Sequence, residues 1–262
     1  MLETTPYVFI LVETGDDGVA VVTMNQPEKR NVLSPDMMRE LTAAFDTIGA
    51  DRGVKVVILR GAGPAFSAGH DLRKMLGRSV DEHRRTFDAS VRLMERIQSI
   101  PQPVIAEVAG VATAAGCQLV ATCDLAVAST GASFATPGVK IGLFCTTPMV
   151  ALTRAIGRKR AMEMLLTGRP IDATTAAEWG LVNRVVEPDR LEAETRELTR
   201  RIASSAGLVV GLGKAAFYAQ IDLDQPEAYA YAKEVMSMNA LSADAQEGMD
   251  AFVSKRPPVW ST

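Results

Sequence analysis

The sequence predicts an α/β fold, with a sheet and covering helices over the first two-thirds of the chain and a mostly helical last third. Short apolar runs rich in β-branched residues alternate with amphipathic helical patterns as far as Ile156, and helical patterns dominate after it. The 262 residues are 47% hydrophobic and 23% charged, which suits one large folded domain. No linker-like stretch separates the alternating strands and helices from the mostly helical part that follows Ile156. We therefore expect an α/β core over residues 1–200 and an attached helical region over residues 201–262.

The core is predicted to begin with a strand, a helix and a second strand. Val19–Met24 and Val54–Arg60 are apolar, rich in β-branched residues and bounded by glycines, which is typical of buried strands. Between them, Ser34 is suited to cap a helix and Pro35 to occupy its first position. The helix then carries one apolar face, formed by Met37, Met38, Leu41, Phe45 and Ile48.

Later elements continue this alternation. A charged amphipathic helix is predicted over Asp81–Ile100, and short strands are predicted at Val104–Val108 and Leu125–Ala128. Such a series indicates a sheet with covering helices. Helical patterns then cover Lys159–Leu166, Asp189–Ala203, Gly211–Gln220, Glu227–Leu241 and Ala243–Lys255.

Charge and cysteine content argue against several classes of protein. The net charge is only -3 and no basic stripe with interleaved aromatic residues occurs, so a nucleic-acid partner is not expected. The three cysteines, Cys117, Cys123 and Cys145, form no CxxC pair. Neither a disulfide framework nor a metal site is therefore expected.

The first residues and the apolar runs bear on location. Met1–Gly18 is acidic and has no Lys or Arg before an apolar run, unlike a signal or transit peptide. No apolar run approaches the ~18 residues that a membrane span needs. We therefore expect a soluble, cytoplasmic protein without a membrane span.

Two loops of small residues follow predicted strands. Phe66–Leu72 comes after the strand that ends at Arg60, and Gly110–Gly116 leads into a helix start near Ala115. Backbone N–H groups at a helix start lack partners within the helix and carry partial positive charge. Two such groups pointing at one carbonyl oxygen would stabilise an oxyanion, each contributing about 3 kcal/mol. Tight packing alone also produces small-residue turns, so the pattern by itself leaves both readings open.

Five segments with matching order and spacing carry a family resemblance: Asn25–Asn31, Phe66–Asp71, Gly116–Leu119, Cys123–Ala126 and Glu247–Phe252. With them the chain resembles the enoyl-CoA hydratase/isomerase (crotonase) superfamily from Val8 to Pro258. The resemblance implies a crotonase (ClpP-like) fold, a spiral of ββα units with a C-terminal helical region that takes part in oligomerisation. It also implies an oxyanion hole, made by the backbone N–H groups of His70 and Ala115, that polarises the carbonyl of a coenzyme A thioester.

Two positions depart from the hydratases of that superfamily. Glutamate is usual at position 118 and again after the proline at the position of Gly138, whereas this chain has Gln118 and Gly138. Each such carboxylate contributes roughly 10²–10⁴-fold by proton transfer, so hydration by the usual two-glutamate mechanism is not expected. The segments Ala114–Ala121, Phe134–Val139 and Gly142–Pro148 resemble a subgroup, enoyl-CoA hydratase domain-containing protein 3, which also has the non-acidic pair.

Three other residues could replace the missing acids. The imidazole of His70 has an ordinary pKa suited to proton transfer, and Cys145 paired with a histidine could act as a nucleophile. Glu107 is a carboxylate on the strand that leads into the Gly110–Gly116 loop. Each of the three could instead have only a structural role. His70 could be a hydrogen-bonded histidine, Cys145 a small buried side chain, and Glu107 a partner in a salt bridge. The sequence leaves these alternatives open.

The resemblance also implies how coenzyme A is bound. The implied residues are Lys29 and Arg30 at the phosphates, Ala68, Gly69 and Asp71 along the adenine and pantetheine path, and Phe252 and Lys255 from a neighbouring subunit. Each basic residue could instead be an ordinary surface charge. The ligand would be acyl-CoA or enoyl-CoA, with no covalently bound cofactor, and the family assembles as homotrimers or as dimers of trimers (hexamers).

Two kinds of function follow. One is a lyase or isomerase of fatty acid or acyl-CoA metabolism that isomerises, cleaves or slowly hydrates its substrate; the other is a non-catalytic acyl-CoA carrier. The lost acids favour the carrier, and the oxyanion elements favour the enzyme because a pure binder gains little from them. A dinucleotide oxidoreductase is not expected, since Gly61 and Gly63 begin a GxGxxG pattern but Phe66 stands at its third glycine.

Overall fold

The computed structural model describes residues 7–261, so the segment Met1–Gly18 lies partly outside it. Its strands are β1 (Ile10–Thr14), β2 (Val19–Met24), β3 (Val56–Gly61), β4 (Ala65–Ser67), β5 (Val104–Val108), β6 (Val111–Thr113), β7 (Leu125–Ser129), β8 (Ser133–Ala135), β9 (Ile171–Asp172) and β10 (Arg184–Val186). Its helices are α1 (Pro35–Ala50), α2 (Leu72–Met75), α3 (Val80–Ser99), α4 (Ala115–Thr122), α5 (Thr146–Ile156), α6 (Arg158–Thr167), α7 (Ala173–Trp179), α8 (Leu191–Ala203), α9 (Gly207–Gln220), α10 (Gln225–Asn239) and α11 (Ala243–Val253). The predicted α/β class is confirmed.

Two sheets form the core. The larger has the strand order β1-β2-β3-β5-β7-β10, antiparallel between β1 and β2 and parallel elsewhere. The smaller has the order β4-β6-β8-β9, antiparallel only between β8 and β9. The chain passes from β3 to β4, from β5 to β6 and from β7 to β8 before each return by helix. This repetition is the ββα unit that the sequence resemblance implied.

The larger sheet is covered on both faces. Strands β2 and β5 are buried along their whole length, which agrees with their unbroken apolar sequences. Helices α1, α3 and α4 pack on one face around a core that includes Phe45, Leu93 and Leu119. Helix α8 covers the other face, where Leu191 packs with Ile105.

The predicted start of α1 is confirmed in detail. Ser34 Oγ accepts the Met37 N–H at 3.2 Å, and Pro35 occupies the first turn. Ser79 and Glu82 form a reciprocal capping box at the start of α3. No sequence pattern predicted β1, β10, α2, α5 or α7. The four strands of the smaller sheet were not predicted either, and each of them is only two or three residues long.

A buried ion pair attaches the C-terminal helices to the core. Lys214 Nζ on α9 lies 2.7 Å from Asp124 Oδ2 and donates to the carbonyl oxygens of Ile97 and Gln102 at 2.7 and 2.9 Å. The Tyr218 hydroxyl donates to Asp124 Oδ1 at 2.8 Å. Asp124 thus braces α9 against the sheet.

Between residues 7 and 261, no single helix is both long and apolar enough to cross a bilayer. One pair of helical segments meets the length and composition criteria when taken together, Pro188–Ala203 with Gly207–Gln220, and the two segments meet at a bend of 100°.

Candidate active site

The ends of β4 and β6 bring two loops into contact. Gly69 has a φ of +82°, and a Cβ atom on it would lie 2.9 Å from the Thr113 oxygen and 3.0 Å from the Ala115 nitrogen. Glycine is required here because any side chain would displace backbone atoms. Neither the backbone N–H of His70 nor that of Ala115 donates a hydrogen bond to any group in residues 7–261. The two residues predicted as oxyanion donors therefore lie on touching loops with their N–H groups unpaired.

Helix α4 begins in a strained conformation. Ala114, its N-cap, has φ 52° and ψ -118°, a region that costs a non-glycine residue about 1–3 kcal/mol. Its N–H donates to the Ala135 oxygen at 2.8 Å, and its carbonyl accepts the Gln118 N–H at 3.0 Å. A Cβ atom on Gly116 would collide with the Ser67 carbonyl, so the helix start also packs directly on β4. These contacts hold the Ala115 N–H in place.

Gln118 lies one turn into α4 and is only 5% exposed. Its Oε1 is buried and has no hydrogen-bond partner among the described residues. Thr136, which follows β8, is completely buried, and its Oγ1 is also without a partner in that part of the chain. The site therefore presents neutral hydrogen-bonding atoms where a hydratase has a carboxylate. Sequence reasoning did not identify Thr136.

Gly138 occupies a tight position. A Cβ atom there would collide with the Leu143 carbonyl oxygen and lie 2.8 Å from Cys145 Sγ. The Leu143 N–H also donates to the Gly138 oxygen at 3.0 Å, which holds the segment in place. The space that a side chain at position 138 would need is thus filled by the backbone and thiol of residues 143–145.

The imidazole of His70 is held as a neutral ring. Burial lowers its pKa from 6.5 to about 4, and its Nε2 has no partner within residues 7–261. The ring packs edge-on against Phe87 of α3, with a centroid separation of 5.5 Å. His70 is therefore unprotonated near neutral pH, and its ring contacts α3.

The thiols near the site are protonated. Burial raises the pKa of Cys145, and burial also raises the pKa of Cys117 to about 12. No hydrogen bond in residues 7–261 links Cys145 to His70, whose ring faces Phe87. The geometry gives no support to the Cys145–His70 pair that the sequence left open.

Glu107 lies on the opposite face of the larger sheet. It shares the side of β5 that carries Ile105, which packs with Leu191 of α8. Its Oε1 is 3.6 Å from Arg60 Nη1, and burial raises the pKa of its carboxyl group. The structure does not bring Glu107 to the two loops, so the geometry gives no support to the hypothesis of a relocated catalytic carboxylate.

The predicted coenzyme A residues near the N-terminus come together. Lys29 and Arg30 are exposed and form no ion pair within residues 7–261. The Arg30 oxygen accepts the Ala68 N–H at 2.9 Å, so this loop borders the segment that contains Gly69. Asp71 caps α2 by accepting the Arg73 N–H at 3.2 Å.

Asn31 is a positioning residue that sequence reasoning did not single out. It is completely buried, has a φ of 51°, and its Nδ2 donates to the oxygens of Ala62 and Ala65 at 2.9 and 2.8 Å. Its Oδ1 accepts the Gln26 N–H at 2.9 Å. The available signal was its residue type, because asparagine tolerates the left-handed region better than most residues.

The C-terminal residues predicted to meet the nucleotide lie apart. Phe252 is 85% exposed, and Lys255 is also exposed. No hydrogen bond or ion pair in residues 7–261 joins either to the loops at Arg30 or Gly69. Phe252 and Trp260 instead line a cavity of about 470 Å³ between α9 and α11. Within residues 7–261 of one copy, Phe252 and Lys255 are therefore not bonded to the other predicted coenzyme A residues.

In the described residues, no group of three or more His, Cys, Asp or Glu side chains could hold a metal ion.

Comparisons with known proteins agree with this architecture. The pattern that defines the family Enoyl-CoA hydratase/isomerase matches residues 14–262. The chain is 46% identical to the enoyl-CoA hydratase domain-containing protein 3, mitochondrial, of Rattus norvegicus over 246 residues, which is 94% of this chain and 82% of the relative. The crystal structure of the human protein of that name gives a TM-score of 0.94 at 45% identity, covering 97% of this chain and 100% of that one. An enoyl-CoA hydratase from Mycobacterium smegmatis gives 0.95 at 45% identity, with 97% and 100% covered. The predicted crotonase fold and subgroup resemblance are confirmed.

The predicted cytoplasmic location is wrong by the same comparisons. Five relatives, from Rattus norvegicus, Mus musculus, Homo sapiens, Danio rerio and Xenopus laevis, carry the word mitochondrial in their names. The prediction relied on the composition of Met1–Gly18. Targeting segments are removed from mature proteins, so that composition does not define a location.

Proposed function

The chain belongs to the enoyl-CoA hydratase/isomerase family, and on that premise we propose that it binds acyl-CoA or enoyl-CoA and polarises the thioester carbonyl. The carbonyl oxygen would accept hydrogen bonds from the backbone N–H groups of His70 and Ala115. The observation that carries this proposal is the approach of Gly69 to the Ala115 nitrogen, with both N–H groups unpaired.

The electrostatics of the two donors suit a thioester. Ala115 is the first residue of α4, where the helix dipole adds partial positive charge at its N–H. Donors that are already oriented need no rearrangement as charge builds on the oxygen, and removing one typically costs about 3 kcal/mol of transition-state stabilisation. The proposed chemistry is therefore enolate or oxyanion stabilisation.

The reaction itself is limited by the proton-transfer groups. The Gln118 amide cannot take a proton, and Gly138 has no side chain. His70 is neutral near pH 7, with its ring against Phe87. We propose an acyl-CoA enzyme of fatty acid or acyl-CoA metabolism that does not hydrate by the two-carboxylate route. The alternative is a non-catalytic acyl-CoA carrier, which the absence of both carboxylates favours.

Carbonyl polarisation can be measured directly. A conjugated thioester such as cinnamoyl-CoA should show a red-shifted absorbance when it is bound, because polarisation extends the conjugation. Gly69→Ala should abolish the shift, since its Cβ would push on residues 113–115. Gly77→Ala is the matched control, because Gly77 also has a positive φ (71°) but no atom within 4 Å. Saturable binding with no shift in the unmodified protein would contradict the proposal.

Turnover separates the enzyme from the carrier. Purified protein is mixed with excess trans-2-enoyl-CoA, and the loss of the conjugated absorbance is followed. Sustained turnover would establish an enzyme, whereas stoichiometric binding without turnover of enoyl or saturated thioesters would establish the carrier.

We also propose that the protein assembles as a homotrimer or as a dimer of trimers. Helix α10 buries no residue in the single chain, and Tyr229, Met236 and Met238 on it are 69–76% exposed. A neighbouring subunit would cover these side chains. Phe252 and Lys255 would then reach the nucleotide of coenzyme A held by the adjacent copy.

A further inference from the structure

Helix α11 is held in place mainly by the segment that follows it. In the described single chain its only buried residues are Asp244 and Ala251, and a cavity of about 470 Å³ lies between α11 and α9. A helix that buries so little apolar surface gains little stability from packing. Its position therefore depends on other contacts.

A Schellman turn ends α11 and reverses the chain. The Lys255 N–H donates to the Phe252 oxygen at 3.3 Å, and the Arg256 N–H donates to the Ala251 oxygen at 3.0 Å. Lys255 has a φ of 53°, at a position where glycine is usual. Residues 256–261 then run back along α11 toward its first turn and form a C-terminal strap.

The first half of the C-terminal strap is bonded along α11. Arg256 Nη1 and Nη2 donate to the Glu247 carboxylate at 2.6 and 2.8 Å, and Nη2 also donates to Asp250 Oδ2 at 2.6 Å. The Val259 N–H donates to Glu247 Oε1 at 2.8 Å. The hydrogen bonds from Arg256 and Val259 hold the pKa of Glu247 at about 2. The carboxylate that receives most of these bonds is therefore ionised near neutral pH.

The second half of the C-terminal strap joins α11 to the end of α8. Trp260 Nε1 donates to the oxygen of Ser204, the residue that follows α8, at 2.8 Å. The Trp260 ring lies against Gly248, where an added Cβ atom would be 3.2 Å from it. The Ser261 N–H and hydroxyl donate to Asp244 Oδ1 at 2.7 and 2.8 Å. Trp260 thus connects α11 to the end of α8 beside the cavity.

Two exposed side chains at the end of α11 suit a nucleotide. Phe252 is 85% exposed, and the exposed Lys255 forms no ion pair within residues 7–261. An aromatic ring can stack on a base, and an ammonium can pair with phosphates. Phe252 lies in the last turn of α11 and Lys255 in the Schellman turn, so both are placed by the position of the helix.

Resting on the proposed contact of Phe252 and Lys255 with coenzyme A, we infer that the C-terminal strap is a positioning element for nucleotide recognition. It fixes α11 relative to α8, so that the two side chains are already ordered when the nucleotide arrives. Trp260 and Glu247 are its main positioning residues. If the C-terminal strap is loosened, ordering of α11 opposes binding of the nucleotide, while the carbonyl donors at His70 and Ala115 are unaffected.

Titration with cinnamoyl-CoA separates these effects, because the Kd reports affinity and the red shift at saturation reports carbonyl polarisation. Trp260→Ala and Glu247→Ala should each raise the Kd about tenfold, the size of one lost stacking contact, without changing the red shift at saturation. Removal of a negative charge from α11 would by itself favour an anionic ligand, so a higher Kd for Glu247→Ala is not a charge effect. Trp260→Phe, which keeps an aromatic ring beside Gly248, should recover part of the affinity.

Trp179→Ala is the matched control, because Trp179 is a partly buried tryptophan of α7 that packs against the main core. It should lower the Tm and leave the Kd unchanged. Light scattering should give the same mass for all variants. An unchanged Kd in both C-terminal strap variants, a smaller red shift at saturation or a reduced mass would overturn the inference. If the unmodified protein did not bind cinnamoyl-CoA at all, the proposed function would fail instead.

Discussion

Gly138 is the residue that most restricts the chemistry of the site. A carboxylate at this position would require a Cβ atom where the Leu143 oxygen lies, only 2.8 Å from Cys145 Sγ. The position differs in this respect from Gln118, where the side chain already extends into the site and only its chemistry differs. At position 138 this chain therefore lacks both the carboxylate of the two-carboxylate pattern and the space that such a side chain would need.

Gly138→Glu should accordingly fail to restore hydration and should destabilise the fold by about 2–3 kcal/mol through overpacking. Urea unfolding and the enoyl-CoA absorbance assay measure the two effects. Gly207→Glu is the control, because Gly207 is an exposed first residue of α9 with no atom within 4 Å of a Cβ. A stable Gly138→Glu variant with rapid hydration would contradict this account.

His70 makes stability depend on pH. Burial lowers its pKa to about 4, so the unfolded chain binds this proton at a higher pH than the folded chain does. The contribution of neutral His70 to the free energy of unfolding is fully present above about pH 6.5. It is lost as the pH falls toward 4, and the loss amounts to about 3 kcal/mol at most. His70→Gln should flatten this part of the stability profile. Urea unfolding between pH 4.5 and about 7.5 measures it, and identical slopes for His70→Gln and the unmodified protein would disprove it.

At the level of single residues, the sequence identified the missing acids and the donor loops, since these depend only on residue type and order. It could not decide between the alternatives for His70, Cys145 and Glu107, because each depends on the direction of a side chain. Glu107 faces α8 through the strand alternation of β5, and its register is set by long-range pairing with β3 and β7. The unpaired hydroxyl of Thr136 likewise becomes evident only when its surroundings are known.

Among the elements, α9 depends on one buried cation. Lys214 is 9% exposed and bonds to Asp124 and two backbone oxygens, so all three ammonium hydrogens have acceptors. Lys214→Met should cost about 3–5 kcal/mol, because it removes the counter-charge of the mostly buried Asp124 carboxylate, whose side chain is 14% exposed. Chemical denaturation measures the loss.

Two further variants provide a scale for the stability lost in Lys214→Met. Tyr218→Phe removes one hydrogen bond to Asp124 and should cost about 1.5–3 kcal/mol. Lys159→Met, at an exposed residue of α6, should change stability by less than about 0.5 kcal/mol. If Lys214→Met behaved like Lys159→Met, the ion pair would not be what holds α9.

Element prediction succeeded where a pattern was long. Strands β2 and β5 were predicted to the residue, and α1, α3 and α8–α11 were located within a few residues of their bounds. Strands β4, β6 and β8 span three residues each, too few for a periodic signal. They form only because neighbouring strands supply their partners, and they are the elements that carry the site loops.

For the whole molecule, the exposed apolar surface of the C-terminal helices predicts assembly. Met236→Glu on α10 should shift the protein toward monomers, because it places a charge where a neighbour would pack. Light scattering after size exclusion measures the mass, and Leu11→Glu, at a residue 49% exposed on β1, is the control. A monomeric unmodified protein would contradict the prediction. Weaker acyl-CoA binding should accompany dissociation, since Phe252 and Lys255 would be lost from the adjacent site.

The packing around Gly138 also sets the order of steps by which this chain could acquire hydration. A glutamate at this position requires the Leu143 and Cys145 segment to withdraw first. Such a withdrawal brings no hydration activity until the glutamate arrives, and position 118 would also need a carboxylate, so selection for hydration has no single step to favour. The effect of a substitution at position 138 is therefore epistatic with residues 143 and 145.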